Sequence, residues 1–401
     1  MTSHSKKNLK ILMLCDYYGI GQTYQENLLS KYYRKLGHDV VILASTIENI
    51  SDFIHNIYDK KKPASVDYDN ETKVVRLPYN LNIFNKLRSF KGVYNILEEE
   101  KPDLIFAHDI YFNLSDAVRY KKKYNVKLIM DYHADYSNSA KNWISLNILH
   151  KLIRKTYFKG LMKYIDKIYP VVPESARFLK EVYSVPYNKM DILPLGCDFD
   201  QIQEIRENTN RLIEREKLGI KNDDIVILNG GKFNFNKKTH LAIEMLDFFK
   251  DKNIHLLLFG KADKGSEEYE AHLRRIAEGK NVHFLGWINA EDAYKFMIIS
   301  DIALFPASQS VLWQQCIGAY LPVIAGDVGQ QDMSYLNQNN NLIKVDFENI
   351  NSHYFAQTIK EIYENRQKLI EMKNGAEKTA REYLSYNLIV MKTLRDCGFL
   401  N

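Results

Sequence analysis

The sequence predicts an α/β fold built as two Rossmann-like, doubly wound domains, one after the other. Three observations predict it. The 401 residues exceed the ~100–200 that a single domain takes. Short apolar runs alternate with helix-periodic stretches, which implies right-handed βαβ units around a parallel sheet. The alternation fills the first half, breaks across a polar and charged stretch near 198–222 that reads as the joint, and then resumes.

The elements follow in order. Lys10–Cys15 (KILMLC) suits a strand buried on both faces. Gly19 and Gly21 follow in a turn. Tyr24–Leu36 carries Leu28, Leu29, Tyr32, Tyr33 and Leu36 at helical spacing and stops at Gly37, a C-cap signal. Val40–Ala44, Leu104–Ala107, Lys127–Met130 and Lys167–Val172 are the next strands. In the second half Ile225–Asn229 precedes a Gly-rich turn, and Thr239–Phe249 is helical. Ile254–Phe259, Val282–Leu285, Ile302–Phe305 and Pro322–Ala325 complete the strands, and a last helix lies near Ala380–Leu394. The expected domains are 1–200 and 201–380, with 381–401 a C-terminal helix crossing back to the first domain. Ligands of such sheets bind beyond the carboxyl ends of the strands, so candidate residues are sought just after each one.

Composition excludes several classes. Hydrophobic residues at 45% and charged residues at 26% rule out wholesale disorder and collagen-like repeats. Cys15, Cys197, Cys316 and Cys397 lie far apart, with no CxxC pair or Cys/His spacing for zinc, so a reducing cytosol is expected. No run of ~18 apolar residues is present, and the start MTSHSKKNLK leads into too short an apolar stretch for a secretion signal. The net charge of +5 divides unevenly, +7 over residues 1–200 and −2 over 201–401. The first half therefore favours an anionic partner.

Gly230-Gly231-Lys232-Phe233-Asn234-Phe235-Asn236-Lys237-Lys238 is the strongest local signal. It follows a strand and precedes a helix. The glycines allow close backbone approach, and Lys232 and Lys237 could close on a diphosphate from two sides. A Gly turn followed by solvated lysines is the competing reading. Gly19-Ile20-Gly21-Gln22 is a second anion-friendly turn or an ordinary tight one. His133 sits just past a strand end, where an imidazole can bond a sugar hydroxyl or move a proton, though a lone histidine is often structural. Asp131 and Asp135 flank it and could orient it. Asp67-Tyr68-Asp69 and Asp198-Phe199-Asp200 have Asp-x-Asp spacing but read as turns, so no metal site is expected.

An ordered set of motifs resembles the retaining GT-B glycosyltransferases of family 4. It comprises Gly231-Lys232-x4-Lys237, Leu193-Pro194-Leu195-Gly196-Cys197-Asp198, Leu258-Phe259-Gly260, Val282-His283-Phe284-Leu285-Gly286, Asp301-Ile302-Ala303-Leu304-Phe305-Pro306 and Leu321-Pro322-Val323-Ile324-Ala325. The resemblance implies two Rossmann-like domains facing a central cleft, the second holding a nucleotide-sugar donor and the first an acceptor. It implies that Gly231, Lys232 and Lys237 bind the donor diphosphate, and that Ser310, Val311 and Gln315 hold its ribose and phosphate side. It places His133 near the transferred sugar, with Lys237 and Lys232 also in catalytic roles, and puts Gly19, Gly21, Gln22 and Asp131 on the acceptor side. One departure stands out. The family's Glu-x7-Glu falls on Ala307 and Gln315, so sugar contacts could pass to Ser308, Gln309 or Ser310.

The function implied is transfer of a hexose-type sugar from a nucleotide-diphosphate donor to a glycan or lipid-linked acceptor, in bacterial cell-surface polysaccharide or glycoconjugate synthesis. No cofactor or metal is expected. The rivals are a GT-B epimerase-like enzyme and a catalytically impaired member that binds nucleotide or partners. Residues 141–167 hold seven basic residues and one acid among interleaved apolar side chains. They read either as an interfacial helix meeting anionic membrane or as a packed helix with a solvated basic face. No nucleic-acid module motif is present, and no nucleic-acid partner is expected. The expected location is cytoplasmic, with peripheral contact at the inner membrane face.

Overall fold

The computed structural model describes residues 8–49, 52–53, 57–249, 253–307, 310–329 and 331–400. The chain forms two compact units. The first comprises residues up to Pro194 together with those from Ile389 onward, and the second is Leu195–Leu388. Both are Rossmann-like α/β layers of the GT-B type.

In the first unit the strands are β1 (Lys10–Leu14), β2 (Asp39–Ser45), β3 (Ser65–Asp69), β4 (Thr72–Leu77), β5 (Tyr79–Ile83), β6 (Leu87–Phe90), β7 (Leu104–His108), β8 (Lys127–Tyr132) and β9 (Lys167–Pro170). The main sheet has the order β3-β4-β2-β1-β7-β8-β9. It is parallel except where β3 runs against β4 at the edge. β5 and β6 form a separate antiparallel hairpin. Leu12, Leu43, Ile105, Met130 and Ile168 are wholly buried in one apolar cluster, which is why these runs carry no polar alternation. The C-terminal helix Tyr386–Asp396 ends in this unit, where Tyr169 Oη donates to Asp396 Oδ2 at 2.8 Å.

In the second unit the strands are β10 (Ile225–Phe233), β11 (Ile254–Ala262), β12 (Val282–Gly286), β13 (Ile302–Phe305), β14 (Val323–Gly326) and β15 (Leu342–Val345). Their order is β12-β11-β10-β13-β14-β15, all parallel. The first-unit boundary at Pro194 lies before the 200 read from sequence. Cys197 already belongs to the second unit, since its amide donates to Leu384 O at 2.9 Å.

Several expectations need correction. The 198–222 stretch is not a linker but carries the helices Phe199–Asn208 and Arg211–Glu216. Its charges are structural. Arg215 is buried and donates to Asp301 Oδ2 at 2.7 Å and to Ile299 O, while Arg211 and Lys373 reach Asp301 Oδ1 at 2.5 and 2.8 Å. Asp67 and Asp69 lie in strand β3, not in a turn. Asp67 accepts from the buried Arg76 at 2.9 Å, and Asp69 accepts from Tyr18 Oη at 2.7 Å. β3 and β15 lie at sheet edges and β5 and β6 form the hairpin, so none carries a continuous apolar run, while β4 lies inside the sheet but its run is broken by Lys73 and Arg76.

Residues Ser145–Arg154 form a wide helix with π-type turns, continued by the α-helix Lys155–Leu161. His150, Arg154 and Phe158 anchor it, whereas Trp143 and Ile144 are 69% and 68% exposed. Among the described residues no helix is long and apolar enough to cross a membrane. All four cysteines are buried and free.

His150 sets a pH limit on this packing. Its Nδ1 meets Tyr183 Oη at 2.7 Å and its Nε2 meets Ser139 Oγ at 3.0 Å. Burial first, and then the Arg154 charge, push its pKa down to about 4. A histidine that binds its proton more weakly folded than unfolded stabilises fully above its unfolded value, ~6.5, and loses that contribution as pH falls. At pH 5 the loss is about 2 kcal/mol. Thermal melts should therefore show the protein less stable at pH 5 than at pH 7.5, with a smaller difference in His150→Gln. An equal difference in the variant would refute the assignment.

Candidate active site

In the first unit the carboxyl ends of β1, β7 and β8 gather the candidate residues. The loop after β1 turns at Gly19, with Gln22 N donating to Gly19 O at 3.4 Å, and Gly21 sits at φ 71°, where a side chain would be strained. The loop is pinned from below. Asn27 Nδ2 donates to Gly19 O at 2.9 Å and to Asp69 Oδ2 at 3.1 Å, and Gly21 N approaches Asp69 Oδ1 at 3.4 Å. Gly21 and Gln22 are left exposed, while Gly19 is buried against Glu48 O.

Asp131 does not face an acceptor, as expected from sequence, because it is wholly buried. Its Oδ2 lies 2.8 Å from His108 Nδ1 and 3.5 Å from His133 Nε2. Burial alone would raise this carboxyl, but the two imidazoles outweigh burial and hold it well below the usual carboxylate range. In return, and against burial, Asp131 raises the pKa of His133 and lifts that of His108 well above the ordinary value. His133 is 37% exposed, so its ring is oriented from behind and open in front. Asp135 does not share this task. Its carboxylate caps the next turn, accepting from Ser137 N at 2.7 Å and Asn138 N at 3.0 Å. His108 was missed. Its only signal was position, since it ends β7 in register with Asp131 on β8.

In the second unit Gly230-Gly231-Lys232-Phe233 is not a turn. It is the end of β10, paired with Phe259–Ala262 of β11. A Cβ on Gly230 would stand 2.3 Å from the Phe259 ring, and one on Gly260 would stand 1.8 Å from Gly231 O. The glycines let the two strands stay paired beyond the apolar core. The chain turns only after Asn234, and the helix that follows, Thr239–Glu244, is six residues long. Lys232 Nζ pairs with Asp263 Oδ1 at 3.1 Å, and Asn234 Nδ2 donates to Asp263 Oδ2 at 2.9 Å. Burial lowers the Lys237 pKa, against a smaller opposing pull from Asp263. Leu312 would lie 3.6 Å from a Cβ at Gly231, so the start of the helix Leu312–Gly318, with Ser310 and Val311 before it, borders the lysine strand. Val311 is exposed and Gln315 half-buried, one turn further on. Ala307 is buried, and Ser308 and Gln309 lie outside the described residues.

The sequence matches Glycosyltransferase Family 4 over residues 25–201 and Glycosyl transferases group 1 over 210–379. The chain belongs to this glycosyltransferase family. EpsD of Bacillus subtilis (strain 168), named as a glycosyltransferase, is 20% identical over 316 residues, 76% of this chain and 77% of that protein. The Anabaena protein Alr3699/HepE, solved with UDP, is similar over 98% of this chain and 100% of its own, at TM-score 0.67 and 16% identity. A further HepE structure holds UDP-glucose. WaaG, a glycosyltransferase involved in lipopolysaccharide biosynthesis, is similar over 97% of this chain and 100% of its own, at TM-score 0.61 and 16% identity.

For this glycosyltransferase the buried Asp131 makes a specific prediction. His133 should titrate above the ordinary histidine value of ~6.5, and Asp131→Asn should lower that titration. The reason is that removing the carboxylate removes the attraction that opposes burial. The ring signals of His133, assigned by their loss in His133→Gln, report this in an NMR pH series. The same variant should cost about 3 kcal/mol of stability, since it strands the buried His108 charge. An unshifted His133 would show that Asp131 serves His108 alone.

Proposed function

We propose that this glycosyltransferase moves a hexose-type sugar from a nucleotide-diphosphate donor to a glycan or lipid-linked acceptor, in bacterial cell-surface polysaccharide or glycoconjugate synthesis. The observation that carries the reading is the placement of Lys232 and Lys237 beside a glycine-lined strand end, at the edge where parallel sheets bind ligands. Gly231 leaves room for the diphosphate, the two lysines take its charge, and Ser310, Val311 and Gln315 receive the ribose and phosphate side. UDP in HepE and lipopolysaccharide biosynthesis in the name of WaaG support the donor and acceptor classes.

In the transfer, the bond between the sugar's anomeric carbon and the diphosphate oxygen breaks as the acceptor's hydroxyl oxygen bonds to that carbon, and the hydroxyl proton passes to the departing diphosphate. Negative charge grows on the leaving diphosphate, where lysine ammonium groups stabilise it most in the transition state. We assign His133 to the sugar or the acceptor hydroxyl, with Gly19, Gly21 and Gln22 bordering the acceptor, and we expect retention of configuration without a divalent metal. The Asp263 carboxylate that holds Lys232 must yield to the incoming diphosphate.

Each lysine–phosphate contact is worth ~1.5–3 kcal/mol. Lys232→Ala and Lys237→Ala should each lower kcat/KM for the donor by roughly 10- to 150-fold, with kcat falling in at least one. Turnover of a panel of nucleotide sugars, with and without acceptor and with EDTA present, tests this. Near wild-type efficiency in both variants would overturn the donor placement, and activity restored only by Mg²⁺ would overturn metal independence. Ala307 and Gln315, standing where the family carries carboxylates, favour a second reading as a binding member without turnover. Donor binding without transfer across the whole panel would establish it.

We also propose that the 141–167 segment contacts anionic membrane at the cytoplasmic face. Trp143, Ile144, Ile148 and Leu152 are exposed alongside the exposed Lys141, Lys151 and Lys159, which is the arrangement an interfacial helix needs. Each cation near such a surface contributes ~1 kcal/mol. Anionic liposomes should sediment the wild type and release a Trp143→Ser, Lys151→Gln, Lys159→Gln variant. Equal sedimentation of both would refute the contact.

A further inference from the structure

The buried carboxylate behind His133 is shared, and the sharing is unequal. Asp131 meets both imidazoles through one oxygen, Oδ2, with His108 Nδ1 at 2.8 Å and His133 Nε2 at 3.5 Å. Asp131 Oδ1 has no hydrogen-bond partner among the described residues, so both rings depend on the same atom. His108 holds the nearer place. It ends β7 in register with Asp131 on β8, and Asp109 N donates to Asp131 O at 3.2 Å, which ties the two strand ends together. The Phe106 ring lies against its imidazole, with 4.7 Å between centroids and 17° between planes, so the ring is packed on its face as well as bonded at its edge.

The titratable groups that face this pair come from four elements. Cys15 follows β1, Glu26 and Tyr33 belong to the helix Gln25–Lys35, Asp109 follows β7, and Asp131 lies near the end of β8. Burial raises the Cys15 thiol and the Tyr33 phenol, so both are neutral at neutral pH. Glu26 and Asp109 act on His133, each less than Asp131 does. The balance between the two imidazoles therefore turns on Asp131.

One carboxylate neutralises one imidazolium. A cation in a buried place is stable only when paired, so the closer and more deeply buried ring has first claim on Asp131. The attraction left for His133 is then smaller than a carboxylate without that partner would exert, and the His108 charge opposes it.

We propose that His108 is a positioning residue for the sugar transfer. By holding Asp131 Oδ2 as its own counter-ion, it limits the charge that reaches His133 and sets whether that imidazole meets the substrate charged or neutral. The consequence is chemical, because a neutral ring can accept a hydrogen bond from a hydroxyl whereas a charged ring can only donate. The proposal rests on the assignment of His133 to the sugar or the acceptor hydroxyl.

The test follows the His133 ring signals and the pH profile of nucleotide-sugar turnover in the full chain. In His108→Asn the side-chain amide can take the place of Nδ1 and keep the bond to Asp131 while removing the charge. The His133 titration should rise by about one pH unit, a roughly tenfold gain in proton affinity, and the limb of the kcat/KM profile that reports His133 should rise with it. Asp131→Asn should move both the opposite way. Lost stability in His108→Asn with neither readout moved would make His108 merely structural and overturn the proposal. If that variant does not fold, the double variant His108→Asn, Asp131→Asn, which buries neither charge, assigns the wild-type His108 signals by their absence. The ring-nitrogen shifts of wild type must then show His108 doubly protonated while His133 titrates, and a neutral His108 overturns the proposal. A His133 titration that rises while the profile stays fixed leaves Asp131 shared but refutes the assignment of His133, and with it the role of His108 in transfer.

Discussion

Parallel strands must all end at the same edge of their sheet, and the gathering of the candidate residues in each unit of this glycosyltransferase depends on that constraint. A βαβ crossover returns the chain to the amino end each time, so whatever follows each strand is delivered to one side. In the first unit this collects the Gly19 loop, Asp16, the Ile110–Phe112 segment and His133. In the second it collects Lys232, Asp263 and the approach to the helix Leu312–Gly318. Apart from Asp16 and the Gly19 loop, these segments are far apart in sequence.

Each unit contains one buried carboxylate that organises its own neighbours, Asp131 near the carboxyl end of β8 and Asp301 just before β13. Asp131 is compensated by His108 and His133. Asp301, at the start of β13, is compensated by Arg211, Arg215 and Lys373 and also accepts the Val226 amide at 2.9 Å. A buried charge is costly unless paired, so each fixes the positions of its partners closely. The difference lies in exposure. The partners of Asp301 are used up in holding helices to a sheet, whereas Asp131 has one partner that faces outward. The same physical device therefore closes off its cations in one unit and leaves an imidazole exposed in the other.

The lysine edge of the second unit carries its own carboxylate. Lys232 does not wave free but rests on Asp263, which Asn234 orients. The pairing screens a cluster of like charges, and any anion that binds must compete with it. In the first unit, by contrast, no carboxylate among the described residues pairs with Lys86 or Arg154.

The sequence by itself determined the α/β class, most of the buried strands and the family. Apolar runs such as KILMLC and LIFAH are unambiguous because a strand covered on both faces tolerates no polar alternation. It also offered Lys232, Lys237 and His133 as candidates, of which Lys232 lies in the end of β10, His133 directly follows β8 and Lys237 sits in the turn beyond β10. Tertiary structure alone decided what their neighbours do. Asp131 reads as a site residue in sequence, yet lies wholly buried, because its strand places it beside His108 on the next one. The Gly230–Phe233 segment reads as a turn but continues as a strand, because Gly230 and Gly260 leave space where side chains would collide. Polar edge strands and the charged helices of 198–222 were hidden for the opposite reason. Arg76 meets Asp67 from the adjacent strand and Asp301 meets Arg215 from 86 residues away, and neither pairing leaves an apolar pattern in the chain.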